Sequence, residues 1–137
     1  MKYLLTGLSL ILLLACTSKP DINPEDLNGY WEIEDVTLPD GSKHIYKINE
    51  TVEQFELNDS LKGFRQKMKP TDKDVYIPVT EKETITLKTE GDSINLYYKT
   101  PFSSWKETIL ELDKNHLKLT NPNHNIYSYK RYIPLNL

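Results

Sequence analysis

Histidine and carboxylate side chains are the groups in this sequence that could hold a metal ion or move a proton. His44, His116 and His124 are scattered, and no HExxH pair, Gly-x-Ser-x-Gly elbow or phosphate-binding glycine loop accompanies them. Asp113 and Asn115 stand in a short polar segment and are typical of a turn before they are typical of a calcium site. The sequence therefore predicts no enzyme, no resident metal and no cofactor.

The single cysteine, Cys16, ends an apolar leader. Lys2 gives the leader a positive start, residues 4–14 form an apolar run of eleven, and Ala15 immediately precedes Cys16. This run matches a signal peptide and is well short of the roughly 20 residues that span a bilayer. Because there is no second cysteine for a disulfide, packing must supply the stability of the fold.

The segment Leu13-Leu14-Ala15-Cys16 resembles the bacterial lipobox, in which the cysteine is lipidated and becomes the mature N-terminus. The resemblance implies two or three acyl chains on Cys16, enough for stable attachment to a membrane. In some bacteria an aspartate directly after the lipidated cysteine resembles a signal for retention in the inner membrane. This chain has Thr17 at that position, so the resemblance favours the outer membrane, with the domain facing the periplasm or the surface. The alternative is an ordinary secretory signal that happens to end at a cysteine.

The leader divides the chain into three predicted segments, of which it is the first. Residues 1–15 are predicted to be the lipoprotein signal peptide, and residues 16–27 the lipidated N-terminus and a flexible tether, because they are polar and contain prolines. Residues 28–137 have the length of one domain. The formal charge of the whole chain is −3 and no long basic block stands out, so a nucleic-acid partner is not expected.

Residues 28–137 are predicted to form an all-β domain. Alternating apolar and polar residues, bounded by turn residues, predict about eight strands, at 28–38, 51–57, 61–69, 83–90, 94–99, 105–112, 117–120 and 126–133. Shorter extended stretches occur at 44–48 and at 75–79, and Pro78 places the latter at an edge or rim. Such a regular series of strands favours a small antiparallel up-and-down β-barrel, which closes on itself and leaves no sheet edge.

Two details of this prediction depend on side-chain phase. Val36 and Leu38 are out of phase with Trp31 and Ile33, which predicts a β-bulge at residues 34–35. The segment 61–69 also fits a helix, but Gly63 disfavours a helix interior, so a strand is preferred.

The step Gly29-x-Trp31 at the start of the first strand resembles the opening signature of lipocalins. In that family a basic residue near the last strand packs over the tryptophan, and Lys130 or Arg131 occupies that place, with Arg131 preferred. The span 28–133 also resembles the small lipocalin-like lipoproteins of Bacteroidetes-type bacteria. The features that carry this resemblance are Leu27-Asn28-Gly29-Tyr30-Trp31, Thr100-Pro101-Phe102 with Trp105-Lys106-Glu107, and Tyr129-Lys130-Arg131-Tyr132.

Aromatic residues are the candidates for a ligand pocket inside such a barrel. The pocket candidates are Phe55, Phe64, Tyr98, Phe102, Trp105 and Tyr129. Tyr97 and Tyr127 are further aromatic residues that could line it. Phe102 and Trp105 beside Pro101 are the better candidates for the barrel mouth. In a barrel of eight strands, side chains can instead fill the interior completely.

Two functions remain open at this point. The first is a tethered binding module that holds or carries a small hydrophobic ligand in the cell envelope. The second is a module with a filled core that binds another envelope protein or inhibits an enzyme through its surface. A sizeable cavity would favour the first, and an exposed apolar patch would favour the second.

Overall fold

A computed structural model of the chain describes residues 19–72 and 74–134. The predicted signal peptide 1–15, the predicted lipidation site Cys16 and the first residues of the predicted tether lie outside the described residues. In the part of the chain that is described, no helix has the length and apolar character needed to cross a membrane.

Ten strands and one turn of 3₁₀ helix make up the regular structure of the described residues. The 3₁₀ helix is Pro24–Leu27, and the strands are β1 (Gly29–Thr37), β2 (Lys43–Ile45), β3 (Val52–Leu57), β4 (Lys62–Pro70), β5 (Tyr76–Pro78), β6 (Glu83–Glu90), β7 (Ser93–Lys99), β8 (Ser104–Leu112), β9 (His116–Thr120) and β10 (Ile126–Arg131). The strands are rich in β-branched and aromatic residues, which pack well on a pleated surface.

Eight of these strands close into an antiparallel barrel. The order around the barrel is β1, β3, β4, β6, β7, β8, β9 and β10, and β10 pairs back with β1. Neighbours in the barrel are therefore neighbours along the chain once β2 and β5 are set aside. The predicted up-and-down barrel of about eight strands is confirmed.

A β-bulge in β1 restores the phase of its apolar side chains. The register against β10 shifts between Ile33 and Asp35, at the predicted place. Ile33 precedes the shift and Val36 follows it, so both face the barrel interior although their spacing breaks the period of two. A second register shift occurs in β8, between Ile109 and Glu111.

The segment predicted as a strand rather than a helix at 61–69 is β4, so the strand prediction is confirmed. Gly63 is required there, because a Cβ at this position would lie 1.7 Å from the backbone oxygen of Glu56 on β3. Phe64 and Met68, the apolar residues of β4, face away from the barrel interior. They alternate with Arg65 and Lys67, which pair with the inward-facing Phe55 and Glu53 of β3.

The short strands β2 and β5 lie outside the eight-stranded barrel. β2 pairs with the second half of β1, while β5 pairs with the end of β4 beyond the stretch that β6 occupies. The ring of Tyr76 stacks on Tyr30 of β1 with centroids 3.9 Å apart. The segment of β5 therefore lies against the outside of the barrel, where Val52 and Met68 are buried.

The apolar core fills the half of the barrel that lies next to the 3₁₀ helix. Its most deeply buried members are Trp31, Tyr98, Phe55, Leu27, Ile85, Leu96, Ile109, Leu117 and Leu119. In this half, side chains fill the barrel interior, which is one of the two arrangements that the sequence left open.

Trp31 and Arg131 close this end of the barrel. The indole Nε1 of Trp31 donates a hydrogen bond of 2.8 Å to the backbone oxygen of Leu27, and the guanidinium of Arg131 lies 3.9 Å from the Trp31 ring centroid. Arg131 also donates to the backbone oxygens of Asn28 at 2.7 Å and Asp26 at 2.6 Å. Both the ring and the preceding helix are therefore held by one side chain of the last strand.

Candidate functional site

The end of the barrel opposite Trp31 and the 3₁₀ helix is its open end. There the connections 38–51, 71–82, 100–103 and 121–125 join successive barrel strands, whereas turns of two to four residues join them at the closed end. Side chains that face inward near these long connections can reach solvent. A ligand could enter the barrel from this side.

Two adjacent clefts open at this end, and Tyr127 and Tyr129 are their common wall. The first, of about 380 Å³, is lined by Arg65, Trp105, Lys106, Glu107, Asn121, Pro122, Tyr127 and Tyr129. The second, of about 350 Å³, is lined by Trp31, Ile33, Val36, Tyr46, Asn49, Thr51, Glu53, Lys67, Tyr127 and Tyr129. We call the two clefts together the cup, and each has a volume in the range of small-molecule sites.

Arg65 of β4 is the central cation of the cup. Its Nη2 lies 2.8 Å from Oε2 of Glu83, and its Nη1 lies 3.2 Å from Oε1 of Glu107. Burial alone lowers the pKa of Arg65, but the neighbouring Tyr98, Glu83 and Glu107 reverse this and raise the pKa. Arg65 is therefore charged at every physiological pH and holds two carboxylates inside the barrel.

An aromatic stack lies against this ion pair. The Arg65 guanidinium is 4.3 Å from the ring centroid of Tyr98, and the Tyr98 ring lies parallel to Trp105 with centroids 5.3 Å apart. Burial, followed by the charge of Glu107, raises the pKa of Tyr98 well above its ordinary value. The buried Tyr98 hydroxyl and Nε of Arg65 have no hydrogen-bond partner in the described part of the chain.

Glu53 of β3 faces the second cleft and is only loosely paired. Its closest cation is Lys67, with Nζ 3.8 Å from Oε1, and the Lys67 side chain is 43% exposed. Burial raises the pKa of Glu53, and Arg65 and Lys67 offset this effect only in part. The pKa of Glu107 is raised for the same first reason. Desolvation of these two carboxylates thus exceeds the attraction of the nearby cations.

The aromatic residues chosen from the sequence divide between the cup and other places. Trp105 and Tyr129 line the cup, and Tyr98 packs directly beneath Trp105. Phe55 is buried in the apolar core at the closed half and lines neither cleft.

Phe64 and Phe102 also line neither cleft, which corrects their assignment to a pocket. Phe64 lies on the outer face of β4, where the ammonium of Lys82 is 4.1 Å from its ring centroid. Phe102 is 97% exposed, because it occupies a four-residue turn that Thr100 closes by accepting hydrogen bonds from the backbone of Phe102 and Ser103.

The charged residues of the cup are the part of the site that sequence reasoning missed. For Glu53 a signal was present, because it alternates in phase with Phe55 and Leu57 on β3. For Arg65 the signal was misleading, since the apolar residues of β4, Phe64 and Met68, face the outside of the barrel, where Lys82 lies over Phe64 and β5 pairs with Met68.

Three metal-ligating side chains approach one another at the closed end. Ligand atoms of Glu111, Asp113 and His116 lie within 4.8 Å of one another, and all three residues are exposed. Asp113 already accepts hydrogen bonds from the backbone of Asn115 and His116, so its carboxylate shapes the turn. The turn between β8 and β9 therefore explains why these three side chains lie close together.

Comparison with known proteins identifies the fold. The family model described as a lipocalin-like domain matches residues 27–119. The structure is similar to that of a lipocalin-like protein from Bacteroides uniformis ATCC 8492, with a TM-score of 0.51 and 12% identity over 78% of this chain and 99% of the other. An uncharacterized protein from Bacteroides eggerthii DSM 20697 has a TM-score of 0.50 and 15% identity, covering 77% of this chain and 99% of its own.

At these identities the structural likeness shows the fold alone, and no curated protein matches the sequence. The family match, however, covers well over half of the chain, including the Gly29-x-Trp31 step and the strands that carry Arg65 and Trp105. The resemblance inferred from the sequence is confirmed. The chain belongs to the lipocalin-like domain family.

Proposed function

We propose that this chain is a lipid-anchored protein of the bacterial cell envelope whose cup binds a small, partly apolar molecule. The observation that carries the proposal is the pair of adjacent clefts on either side of Tyr127 and Tyr129 at the open end of a closed barrel. The proposal assigns no reaction to the protein. Its role would be to hold or carry the ligand.

The chemistry of the cup supports a ligand with an apolar body. Trp105, Tyr127 and Tyr129 offer aromatic surface, and Ile33 and Val36 add aliphatic surface in the second cleft. Half of the lining residues are polar or charged, among them Asn49, Glu53 and Arg65, and these groups could fix the orientation of the ligand. Each cleft alone is large enough for a molecule the size of one or two fused rings.

The path of the chain supports an orientation for the cup relative to the membrane. The described chain enters the barrel at the closed end, through the 3₁₀ helix Pro24–Leu27. If Cys16 carries acyl chains in the outer membrane, as the lipobox implies, the tether would join the barrel at its closed end. The cup would then face away from that membrane and be free to take up a molecule from the surrounding compartment.

A titration with the neutral dye Nile red tests the binding proposal. We expect the fluorescence of the dye to rise when it enters the cup, and Trp105→Ala to weaken this binding because the indole forms one wall. Phe102→Ala is the matched control, since Phe102 is an aromatic residue of the adjoining turn that lines neither cleft. Equal binding by the two variants would show that the dye binds elsewhere.

A second candidate function, docking of another envelope protein, is favoured by a different observation. Most of the large exposed apolar side chains among the described residues lie in the connections at the open end; they are Leu38, Ile45, Tyr46, Ile48, Val75, Ile77, Val79 and Phe102. An apolar rim of this kind marks an interaction surface in many proteins. A photo-crosslinker at Ile48 would capture a partner in cells if the rim is covered, whereas one at the exposed Leu110 would not.

A further inference from the structure

The charges that point into the barrel at the cup do not balance. Lys106 borders the first cleft, but it is exposed and alternates with the inward-facing Trp105 and Glu107 on β8. Among the inward-facing groups, three carboxylates, Glu53, Glu83 and Glu107, face two cations, Arg65 and Lys67. Four of the five side chains are at most one-fifth exposed, and only Lys67 reaches substantially into solvent. An excess of negative charge in such a setting is screened far less by water than one on the outer surface.

The two terminal nitrogens of Arg65 bond to the other two carboxylates, so Arg65 acts on Glu53 through its charge and not through a hydrogen bond. Nη2 pairs with Glu83 and Nη1 with Glu107. Glu53 is left with Lys67 at 3.8 Å, a distance too long for a good hydrogen bond. Glu53 is therefore the carboxylate that gains most from a further donor.

Glu53 and the aromatic wall border the same space. Glu53, Tyr46, Tyr127 and Tyr129 all line the second cleft. The face of an aromatic ring attracts a cation, and a desolvated carboxylate forms a strong charge-assisted hydrogen bond with an ammonium group. A carboxylate or phosphate of equal size in the same position would be repelled by Glu53.

We infer that the cup selects a small organic cation, an amine with a flat apolar body, over neutral or anionic molecules of the same shape. This inference rests on the proposed function and adds the chemical class of the ligand. The ammonium group would approach Glu53, and the apolar body would pack against Tyr127 and Tyr129.

Isothermal titration calorimetry with three indoles at neutral pH tests the inference. Tryptamine carries an ammonium group, tryptophol carries a neutral hydroxyl on the same skeleton, and indole-3-acetate carries a carboxylate. We expect tryptamine to bind about tenfold more tightly than tryptophol, as one additional charge-assisted hydrogen bond would give, and indole-3-acetate to bind most weakly.

Two variants and a control link this preference to Glu53. Glu53→Gln should reduce the preference for tryptamine about tenfold, and Lys67→Gln should tighten tryptamine binding because it removes the competing cation. Glu56→Gln is the control, because Glu56 is on the same strand and is exposed on the outer face.

The outcomes separate the inference from the proposed function. Binding of tryptophol with equal or tighter binding of indole-3-acetate would leave a ligand-binding cup but overturn its selection of cations. A tryptamine preference that survives in Glu53→Gln would likewise overturn the assignment. No binding of any of the three indoles would count against both the inference and the proposed function.

Discussion

A Cβ atom built on Gly29 would lie 2.8 Å from Nη1 of Arg131, closer than real Cβ contacts allow. Gly29 also has a φ of 118°, a conformation that residues with a side chain rarely adopt. The same Nη1 donates to the backbone oxygen of Asn28. The glycine of the Gly29-x-Trp31 step thus leaves room for the arginine that covers Trp31.

We expect Gly29→Ala to destabilise the protein by about 2–4 kcal/mol, since backbone strain of about 1–3 kcal/mol adds to the displacement of Arg131. Gly41→Ala is a matched control, because Gly41 also has a positive φ, of 87°, but nothing lies within 4 Å of its added Cβ. Urea unfolding of both variants measures the difference. Equal losses of stability would mean that strain alone accounts for the effect and that the contact with Arg131 contributes nothing.

Removal of the arginine itself should be almost as costly. Arg131→Ala loses a cation–π contact with Trp31 and hydrogen bonds from a charged donor, which together are worth about 2–4 kcal/mol. Lys130→Ala, at the neighbouring exposed position, should change stability by less than about 0.5 kcal/mol. The free energies of unfolding of the two variants check this. A wild-type stability for Arg131→Ala would contradict the closing role of Arg131.

The pH dependence of stability should report the free-energy cost of burying the ionised Glu53 carboxylate. Burial raises the pKa of Glu53 in the folded state, despite Arg65 and Lys67, and Glu83 adds to the rise. A carboxyl with a raised folded pKa stabilises the protein below its unfolded pKa, and this stabilisation is lost as the pH rises through the folded pKa. Glu53→Gln should therefore melt at a higher temperature than wild type at pH 7.

This advantage should shrink as the pH falls through the raised folded pKa of Glu53 towards 4.5, the ordinary value for glutamate, and it should be absent below that value because both proteins are then uncharged at this position. Thermal unfolding followed by circular dichroism at several pH values measures it. Glu56→Gln should show no such trend, since Glu56 is exposed. A lower melting temperature for Glu53→Gln at pH 7 would show that the pairing with Lys67 outweighs desolvation.

The anchor can be tested separately from the barrel. Metabolic labelling with an alkyne fatty acid should tag the wild-type protein, and Cys16→Ser should abolish the label because no other cysteine exists to replace it. Fractionation of the envelope should then move the variant out of the membrane fraction. A label of equal strength on both proteins would contradict lipidation at Cys16.

Local patterns in the sequence were enough to predict the barrel. Alternation and turn residues marked the strands, and the mismatch in phase after Ile33 located the bulge of β1. The face of β4 could not be predicted in the same way. Phe64 and Met68 look like core positions, but β5 and its connection cover the outside of the barrel, and such a contact between segments leaves no local signature.

The candidate site was less accessible to sequence reasoning than the fold. Trp105 and Tyr129 could be proposed because aromatic residues at inward-facing positions of strands often line the interior of a barrel. Glu83 pairs with Arg65 across the adjacent strands β4 and β6, but Glu107 lies on β8 and reaches Arg65 across the barrel interior, so the complete set depends on the tertiary fold. A buried charge on an amphipathic strand looks, in sequence, like an ordinary surface residue.

Native mass spectrometry of the protein purified from cells under mild conditions tests most directly whether the cup holds a ligand. We predict a bound small molecule that adds a defined mass to the wild type, is lost from Trp105→Ala and is retained by Phe102→Ala. An accurate mass of the released molecule would give its elemental composition, and its fragmentation would show whether it carries an amine. A wild-type protein that shows only its own mass, and that neutral, cationic and anionic indoles all fail to shift, would contradict the account.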